Sequence, residues 1–431
     1  MLTGRRYVLD FTPEQAEFAE RIGGACRAVW NTALEQRRVY RRGGVFIGYH
    51  DQARQLAEAK TEPGLEWLGE APGHCLQQTL IDLDASCSRH GVWGVRWKSK
   101  TAARPSFRFP EGGKICVERL NRRWARAKLP KLGWVRFWWT RPLGGPAKNA
   151  TITRDGQRWY ISFLVEDGID PPGRHARPDT GIGVDRGVAK IVTTSEGVFH
   201  HQVFATGREV EHAAKLQRDL SRTRKGSNRR RHAARRSGAF KAKIRRRRED
   251  FAAKTACVLA GGHDLVVFES LKTKNMTRRA APKPDLDRPG RFLPNGAAAK
   301  TGLNKAILDK GWHRIEQAVR AKARYTGTIV ITVNPAYTSV TCHRCKHVDP
   351  KSRKSQAVFA CTSCGHTGHA DVSAAKNILT AGRAEPAPPR PGVRAGARKP
   401  RNRVGRKANR QATAAQATAH PEPALAEIPR L

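Results

Sequence analysis

Acid is what this 431-residue chain lacks: 37 Asp and Glu stand against 81 Lys and Arg, a formal net charge of +44. A compact fold with about one excess positive charge per ten residues repels itself unless a polyanion neutralises it. Nucleic acid is the polyanion whose counterion release drives such binding. Codon bias toward Arg inflates a count but does not cluster the charge. No run approaches the roughly 20 apolar residues of a membrane span. The start, Met1-Leu2-Thr3-Gly4-Arg5-Arg6, lacks the apolar run of a secretion signal. The reading is therefore a cytoplasmic, nucleoid-associated bacterial protein without a membrane partner. Cysteine is sparse and uneven. Five of the nine (Cys26, Cys75, Cys87, Cys116, Cys257) are scattered, as small apolar residues of a reducing compartment are.

The other four are not scattered. Cys342-His-Arg-Cys345 and Cys361-Thr-Ser-Cys364 are two C-x2-C knuckles with 15 residues between them. Each knuckle sets two sulfurs on one face of a tight turn, and the spacing is that of a zinc ribbon. Four thiolates complete a tetrahedral shell and leave no open position for water. One structural Zn²⁺ follows, without chemistry of its own.

Along the chain, residues 6–10 read as a strand. Thr12-Pro13-Glu14-Gln15 reads as a helix start: an N-cap Thr, Pro at the first position and acid in the first turn. Apolar residues at helical spacing follow through Val29, Trp30 and Leu34, and again over about 74–89. From about 103 to 166 the period changes to two, as in Ser106-Phe-Arg-Phe109 and Trp159-Tyr-Ile-Ser-Phe163, which implies an antiparallel sheet or small barrel. A Pro/Gly/Arg linker over 170–178 precedes an α/β region. In it, strands at 181–185, 189–194, 264–269 and 327–333 alternate with two long helices over 208–260 and one over 303–325; residues 276–300 read as a loop. A helix over about 371–381 follows the knuckles. From residue 383 to 431 the chain has almost no large apolar residues and reads as a disordered basic tail.

Three acids stand out. Asp185 closes the strand Gly181-Ile-Gly-Val-Asp185, Glu269 closes Val266-Val-Phe-Glu269, and Asp371 opens the last helix. Singly, each has an ordinary explanation in a turn or a helix cap. As an ordered set, two strand-end acids and one on a later helix are the layout of an RNase H-like site, where clustered carboxylates hold two Mg²⁺ ions for phosphodiester chemistry. The glycines around Asp185 are spaced G-x-G-x-x-x-G and miss the dinucleotide fingerprint. Between Arg222 and Arg248 lie 14 Lys or Arg and no acid. Apolar residues at loose helical spacing among them suggest a basic helical hairpin that contacts phosphates, chiefly through Arg229, Arg230, Arg231, Arg245, Arg246 and Arg247.

Over residues 5–381 the chain resembles the TnpB family, the OrfB-type RNA-guided nucleases of insertion sequences, related to the small type V CRISPR effectors. The resemblance rests on motifs in order: Val29-Trp-Asn-Thr-Ala-Leu34, Gln77-Gln-Thr-Leu-Ile-Asp-Leu-Asp84, Arg96-Trp-Lys-Ser-Lys100, Gly183-Val-Asp185, Leu216-Gln-Arg-Asp-Leu-Ser221, Glu269-Ser-Leu-Lys-Thr-Lys-Asn-Met276, Gly302-Leu-Asn-Lys305, and Pro335-Ala-Tyr-Thr-Ser339 leading into the cysteines and Asp371.

The resemblance implies an α+β multidomain fold. A wedge β domain of oligonucleotide-binding type (1–10 and 96–169) would carry an inserted helical recognition domain (11–95). An RNase H-like (RuvC) α/β nuclease domain (178–382) would carry an inserted zinc ribbon (338–368). It implies Asp185, Glu269 and Asp371 as catalytic Mg²⁺ ligands and Gln77, Gln78, Arg96 and Lys98 as nucleic-acid contacts. Guide RNA and target double-stranded DNA are the implied partners, with base pairing supplying sequence specificity. A DNA-strand-transferring transposase and a nuclease-inactive RNA-guided binding protein are the alternatives. Arg186 departs from the family, which usually has an apolar residue there, and a cation beside Asp185 can weaken metal binding. His369 and Val372-Ser373 also depart.

Overall fold

The structure, a computed structural model, describes residues 1–100, 104–288 and 290–386. The 383–431 tail falls almost wholly outside the described residues.

The first strand, β1 (Leu2–Asp10), begins four residues earlier than its apolar run suggests. Helix α1 (Pro13–Arg42) starts as its sequence demands. Thr12 Oγ1 accepts from the Gln15 amide at 3.2 Å, and Gln15 Oε1 accepts from the Thr12 amide at 3.3 Å. This reciprocal cap satisfies two orphan donors and contributes about 1 kcal/mol. Two short helices, α2 (Tyr49–Ala59) and α3 (Trp67–Glu70), lie between α1 and α4 (Gly73–His90). Six more strands follow: β2 (Ser106–Phe109), β3 (Cys116–Arg119), β4 (Trp124–Leu129), β5 (Gly133–Trp138), β6 (Ala147–Asp155) and β7 (Arg158–Glu166). With β1 they form an antiparallel sheet ordered β2-β6-β7-β1-β5-β4-β3. The alternation in sequence is alternation of faces: in β4 Ala125, Ala127 and Leu129 are buried while Trp124, Arg126 and Lys128 are not. Helices and sheet share one apolar core, in which Ile22, Leu76 and Leu80 join Phe107, Phe137 and Phe163.

The second region is built on strands β8 (Gly181–Asp185), β9 (Val192–Thr194) and β10 (Phe199–His200), then helices α5 (Gly207–Ser221) and α6 (Asn228–Gly262), then β11 (Leu265–Glu269). Beyond a short helix α7 (Thr273–Met276), the predicted loop holds a two-stranded hairpin, β12 (Lys283–Pro284) with β13 (Phe292–Leu293). The helix predicted over 303–325 is two helices, α8 (Ala297–Lys310) and α9 (Trp312–Thr326). Gly311 divides them: its φ of 69° is left-handed, which ends α8 and turns Trp312 into the core. Strand β14 (Ile329–Val333) follows.

These strands make a sheet ordered β10-β9-β8-β11-β14, antiparallel across β10, β9 and β8 and parallel across β8, β11 and β14. Strands β15 (Val358–Ala360) and β16 (Thr367–His369) form a small hairpin in the cysteine segment. The last helix, α10 (Ala370–Ala384), packs directly on β8. A Cβ on Gly183 would stand 2.0 Å from the Ala375 carbonyl oxygen, so only glycine allows this approach. Among the described residues no helix is long and apolar enough to cross a membrane.

Candidate metal centres and nucleic-acid surface

The parallel register pairs Val184 with Phe268, and Asp185 and Glu269 are the next residues on their strands. The two acids therefore leave the carboxyl ends of adjacent parallel strands, the edge at which open α/β sheets bind ligands. Asp371 arrives from α10. His369 caps that helix, its Nδ1 accepting from the Asp371 amide at 3.2 Å. The fold sets Glu269 and Asp371 near enough to Asp185 for their charges to act on it. Glu269 is 7 % and Asp371 6 % exposed, and Asp185 is half-buried. Burial, then the charges of Glu269 and Asp371, push the Asp185 carboxyl up to about 7. Burial also raises Glu269, against the opposing pull of Thr338, Arg186 and Arg353. Buried acids that act on one another in this way are relieved of their repulsion when a cation is bound among them.

Two partners of these acids escape sequence reasoning. Thr338 Oγ1 donates to Glu269 Oε1 at 2.6 Å, and Arg353 Nη2 donates to Asp371 Oδ1 at 3.1 Å. Neither has a local signal. Asn377 steadies the first by donating to the Thr338 and Thr341 carbonyls at 3.0 and 2.7 Å. Arg186, the cation expected to disturb Asp185, is 6 % exposed and its charge acts on Glu316 first and also on Glu269 and Asp185. It donates to Glu316 at 3.0 Å and to the Glu269 main-chain carbonyl, with its guanidinium 5.2 Å from the Phe268 ring centre.

The four cysteines converge. Their sulfurs lie within 4.8 Å of one another, with Cys342–Cys364 at 3.7 Å and Cys345–Cys361 at 3.6 Å. A tetrahedral zinc with bonds of about 2.3 Å needs sulfurs about 3.8 Å apart. The two knuckles repeat one backbone design. The residue after the second cysteine is left-handed in each (Lys346, φ 63°; Gly365, φ 69°). The histidine after it returns its carbonyl to the first cysteine's amide at 2.9 Å in each. The amide of Cys364 donates toward the Cys361 sulfur at 3.5 Å and, with that of Ser363, pulls its thiol down, while the neighbouring sulfurs push the Cys364 thiol up against its hydrogen bond with the His366 backbone. The segment therefore fits one zinc ion.

The basic stretch forms a helical pair, α5 with α6. Its charges divide into two kinds. Arg229 and Arg231 are exposed. Arg230 instead donates to the Leu220 and Thr223 carbonyls at 3.0 and 2.9 Å, closing the end of α5. Arg245 pairs with Asp155 of β6, and Arg247 with Glu209 at 2.6 Å, while Arg246 is half-buried. Of the remaining contacts expected with nucleic acid, Gln77 and Arg96 are exposed, and Gln78 donates to Asp82 at 2.9 Å. Lys98 lies with Nζ 3.6 Å from the Trp30 ring centre.

A mixed α+β chain with a carboxylate cluster and a four-cysteine metal centre is the class this geometry defines. Comparison with known proteins narrows it. Family models match at residues 312–378 ("Cas12f1-like, TNB domain"), 162–280 ("Probable transposase") and 1–44 ("Helix-turn-helix domain"). In this chain residues 1–44 hold β1 and the single long helix α1. The "Putative RNA-guided DNA endonuclease InsQ" of Escherichia coli (strain K12) is 36% identical over 84% of this chain and 88% of its own length. A "Putative RNA-guided DNA endonuclease" of Streptomyces pristinaespiralis is 30% identical over 97% and 96%. A solved Cas12f1–sgRNA–target DNA complex aligns at 13% identity with a TM-score of 0.45, over 86% of this chain and 83% of that one. The chain belongs to the TnpB family of OrfB-type proteins.

Proposed function

We propose that this chain is an RNA-guided DNA endonuclease of a transposable element, with Asp185, Glu269 and Asp371 as its catalytic carboxylates. The observation that carries the reading is the meeting of these three acids at the carboxyl edge of the parallel strands, where Asp185 is pushed up to about 7. The names of the two relatives that match most of the chain support the activity. The sheet supports an RNase H-like (RuvC) nuclease domain: three antiparallel strands, then two more parallel to the first. The β1–β7 sheet is read as the wedge and α1–α4 as the recognition helices.

Asp185, Glu269 and Asp371 would hold two Mg²⁺ ions, which when bound polarise the phosphodiester, activate water and stabilise the leaving oxygen. The chain's own part is to position and to balance charge. Thr338 fixes one oxygen of Glu269, the cap at His369 fixes the start of α10, and Arg353 offsets part of the acids' repulsion. The four cysteines would hold a zinc ion with all of its positions filled by sulfur, so the work of that centre would be structural. Six residues separate its last cysteine, Cys364, from Asp371, and the same segment carries Arg353. Exposed cations of the α5–α6 pair, Arg229 and Arg231 among them, supply phosphate contacts, and base pairing with a guide RNA selects the target.

The test is co-expression of the protein with the DNA flanking its gene. A discrete RNA should copurify, and the complex should cut a DNA duplex matching that RNA when Mg²⁺ is added. Intact DNA would overturn the enzyme reading. Strand transfer without RNA would place the chain with transposases of the strand-transfer kind.

A further inference from the structure

Tyr337 is an exposed aromatic residue that the fold itself does not require. Its side chain is largely open to solvent, at 70% exposure. Its φ of 63° is left-handed, a conformation glycine or asparagine adopts with far less strain than an aromatic residue. Local strain of this kind persists only where surrounding structure over-determines it, and it gathers at functional sites.

The surroundings do over-determine it. The Tyr337 carbonyl accepts from the Val340 amide at 3.1 Å, the Thr341 amide at 3.0 Å and Thr341 Oγ1 at 2.8 Å. The Asn334 side chain accepts from the Ala336 amide at 3.0 Å on the other side. Asn377 of α10 grips the carbonyls of Thr338 and Thr341. The turn is thus tied both to α10, which carries Asp371, and to Glu269 through Thr338 at 2.6 Å. One peptide unit, about 3.8 Å between Cα atoms, separates Tyr337 from the residue that holds a carboxylate of the site.

Resting on the endonuclease reading, we propose that Tyr337 is a stacking platform for an unpaired nucleobase of the DNA strand being cut, and that it sets which phosphate reaches the acids. An exposed aromatic face on a rigid mount is what binds any base without regard to sequence. Tyr337 thereby fixes the position of cleavage along the strand while leaving the choice of target to base pairing. Among the described residues, the other left-handed ones that are not glycine, Lys131, Asp179 and Lys346, carry no ring.

The experiment uses the copurified protein–RNA complex with a matching duplex, and cut sites mapped to the nucleotide. Tyr337→Phe should cut as the parent does. Tyr337→Ala should lose about five- to a hundredfold in rate, the range that one base stack contributes, and should scatter its cut positions. Tyr337→Gly relieves the backbone and should show the same loss with an undiminished melting temperature, which separates stacking from folding. In parallel, a single-stranded DNA carrying 2-aminopurine, scanned along its length, should be quenched at one position by the parent and Tyr337→Phe but not by Tyr337→Ala or Tyr337→Gly. Unchanged rate, cut positions and quenching in Tyr337→Ala would overturn the proposal. If the parent itself cuts nothing, the endonuclease reading fails, and the quenching pattern still decides whether Tyr337 stacks on a base.

Discussion

Arg353 and Asp371 join the two candidate metal centres: a guanidinium carried by the cysteine segment donates to the carboxylate on the first turn of α10 at 3.1 Å. The same cation lowers the cost of charge on Asp185 and Glu269. Removing it leaves the acids with less countercharge and so with a stronger pull on a divalent cation. Arg353→Ala should bind Mn²⁺ about three- to tenfold more tightly in a calorimetric titration, with Arg353→Lys between it and the parent. Equal affinities in all three would show that the ion pair does not couple to the site.

Loss of zinc should propagate along the same connection. Cys361→Ser should purify with well under one zinc per chain, because three thiolates and a hydroxyl hold the ion poorly. Amide exchange should then quicken at the start of α10 while β1–β7 stay protected. Full zinc content, or an unchanged exchange rate around Asp371, would contradict a supporting role for the centre.

The basic helix should answer differently at its two ends. Arg229→Ala with Arg231→Ala removes exposed charges, so nucleic-acid affinity should fall and the slope of log K against log salt should drop by about one per residue, at constant melting temperature. Arg245→Ala removes one of the three cations around buried Asp155, the others being Arg104 at 3.2 Å and Arg6 at 3.9 Å, and should lower the melting temperature instead. The opposite pattern would mean that the two ends have been assigned the wrong way round.

Acid should loosen the same helix from its neighbour. A hydrogen bond from Arg247, then one from Lys243, hold the Glu209 carboxyl at about 2, below its ordinary 4.5. A folded-state value below the unfolded one means that its contribution is complete above about pH 4.5 and is lost as pH falls toward 2. The stability gap between parent and Glu209→Gln should therefore be constant from pH 7 to 5 and close below pH 4. Chemical denaturation across that range measures it, and a gap that widens in acid would refute the assignment.

The parts of this molecule that are legible in its sequence are local in origin. A C-x2-C knuckle, a Thr-Pro-x-Gln helix start and an apolar run ending in an acid each encode their geometry within a few residues. The acids of β8 and β11 are legible as a pair because both strands are short and buried. What escapes is set by residues far apart in sequence. Thr338 reaches Glu269 across 69 residues, and nothing beside either marks the contact. Gly183 looks like part of a glycine pattern until α10 lies 2.0 Å from its missing Cβ. The run Arg245–Arg247 looks like a uniform phosphate surface, yet ion pairs with Asp155 and Glu209 occupy two of its members. Gly311 inside an apolar periodicity does not announce a break, because a glycine within a helix is only mildly unfavourable.

The most direct measurement is the cutting of a guide-matched DNA duplex by Asp185→Asn, beside the parent, with binding followed in the same samples. Removing one charge from the cluster should lower the cleavage rate by at least about a thousandfold while binding of the RNA-loaded protein to the duplex stays within about threefold. Cleavage at the parent's rate by Asp185→Asn would show that the three acids are not the catalytic centre.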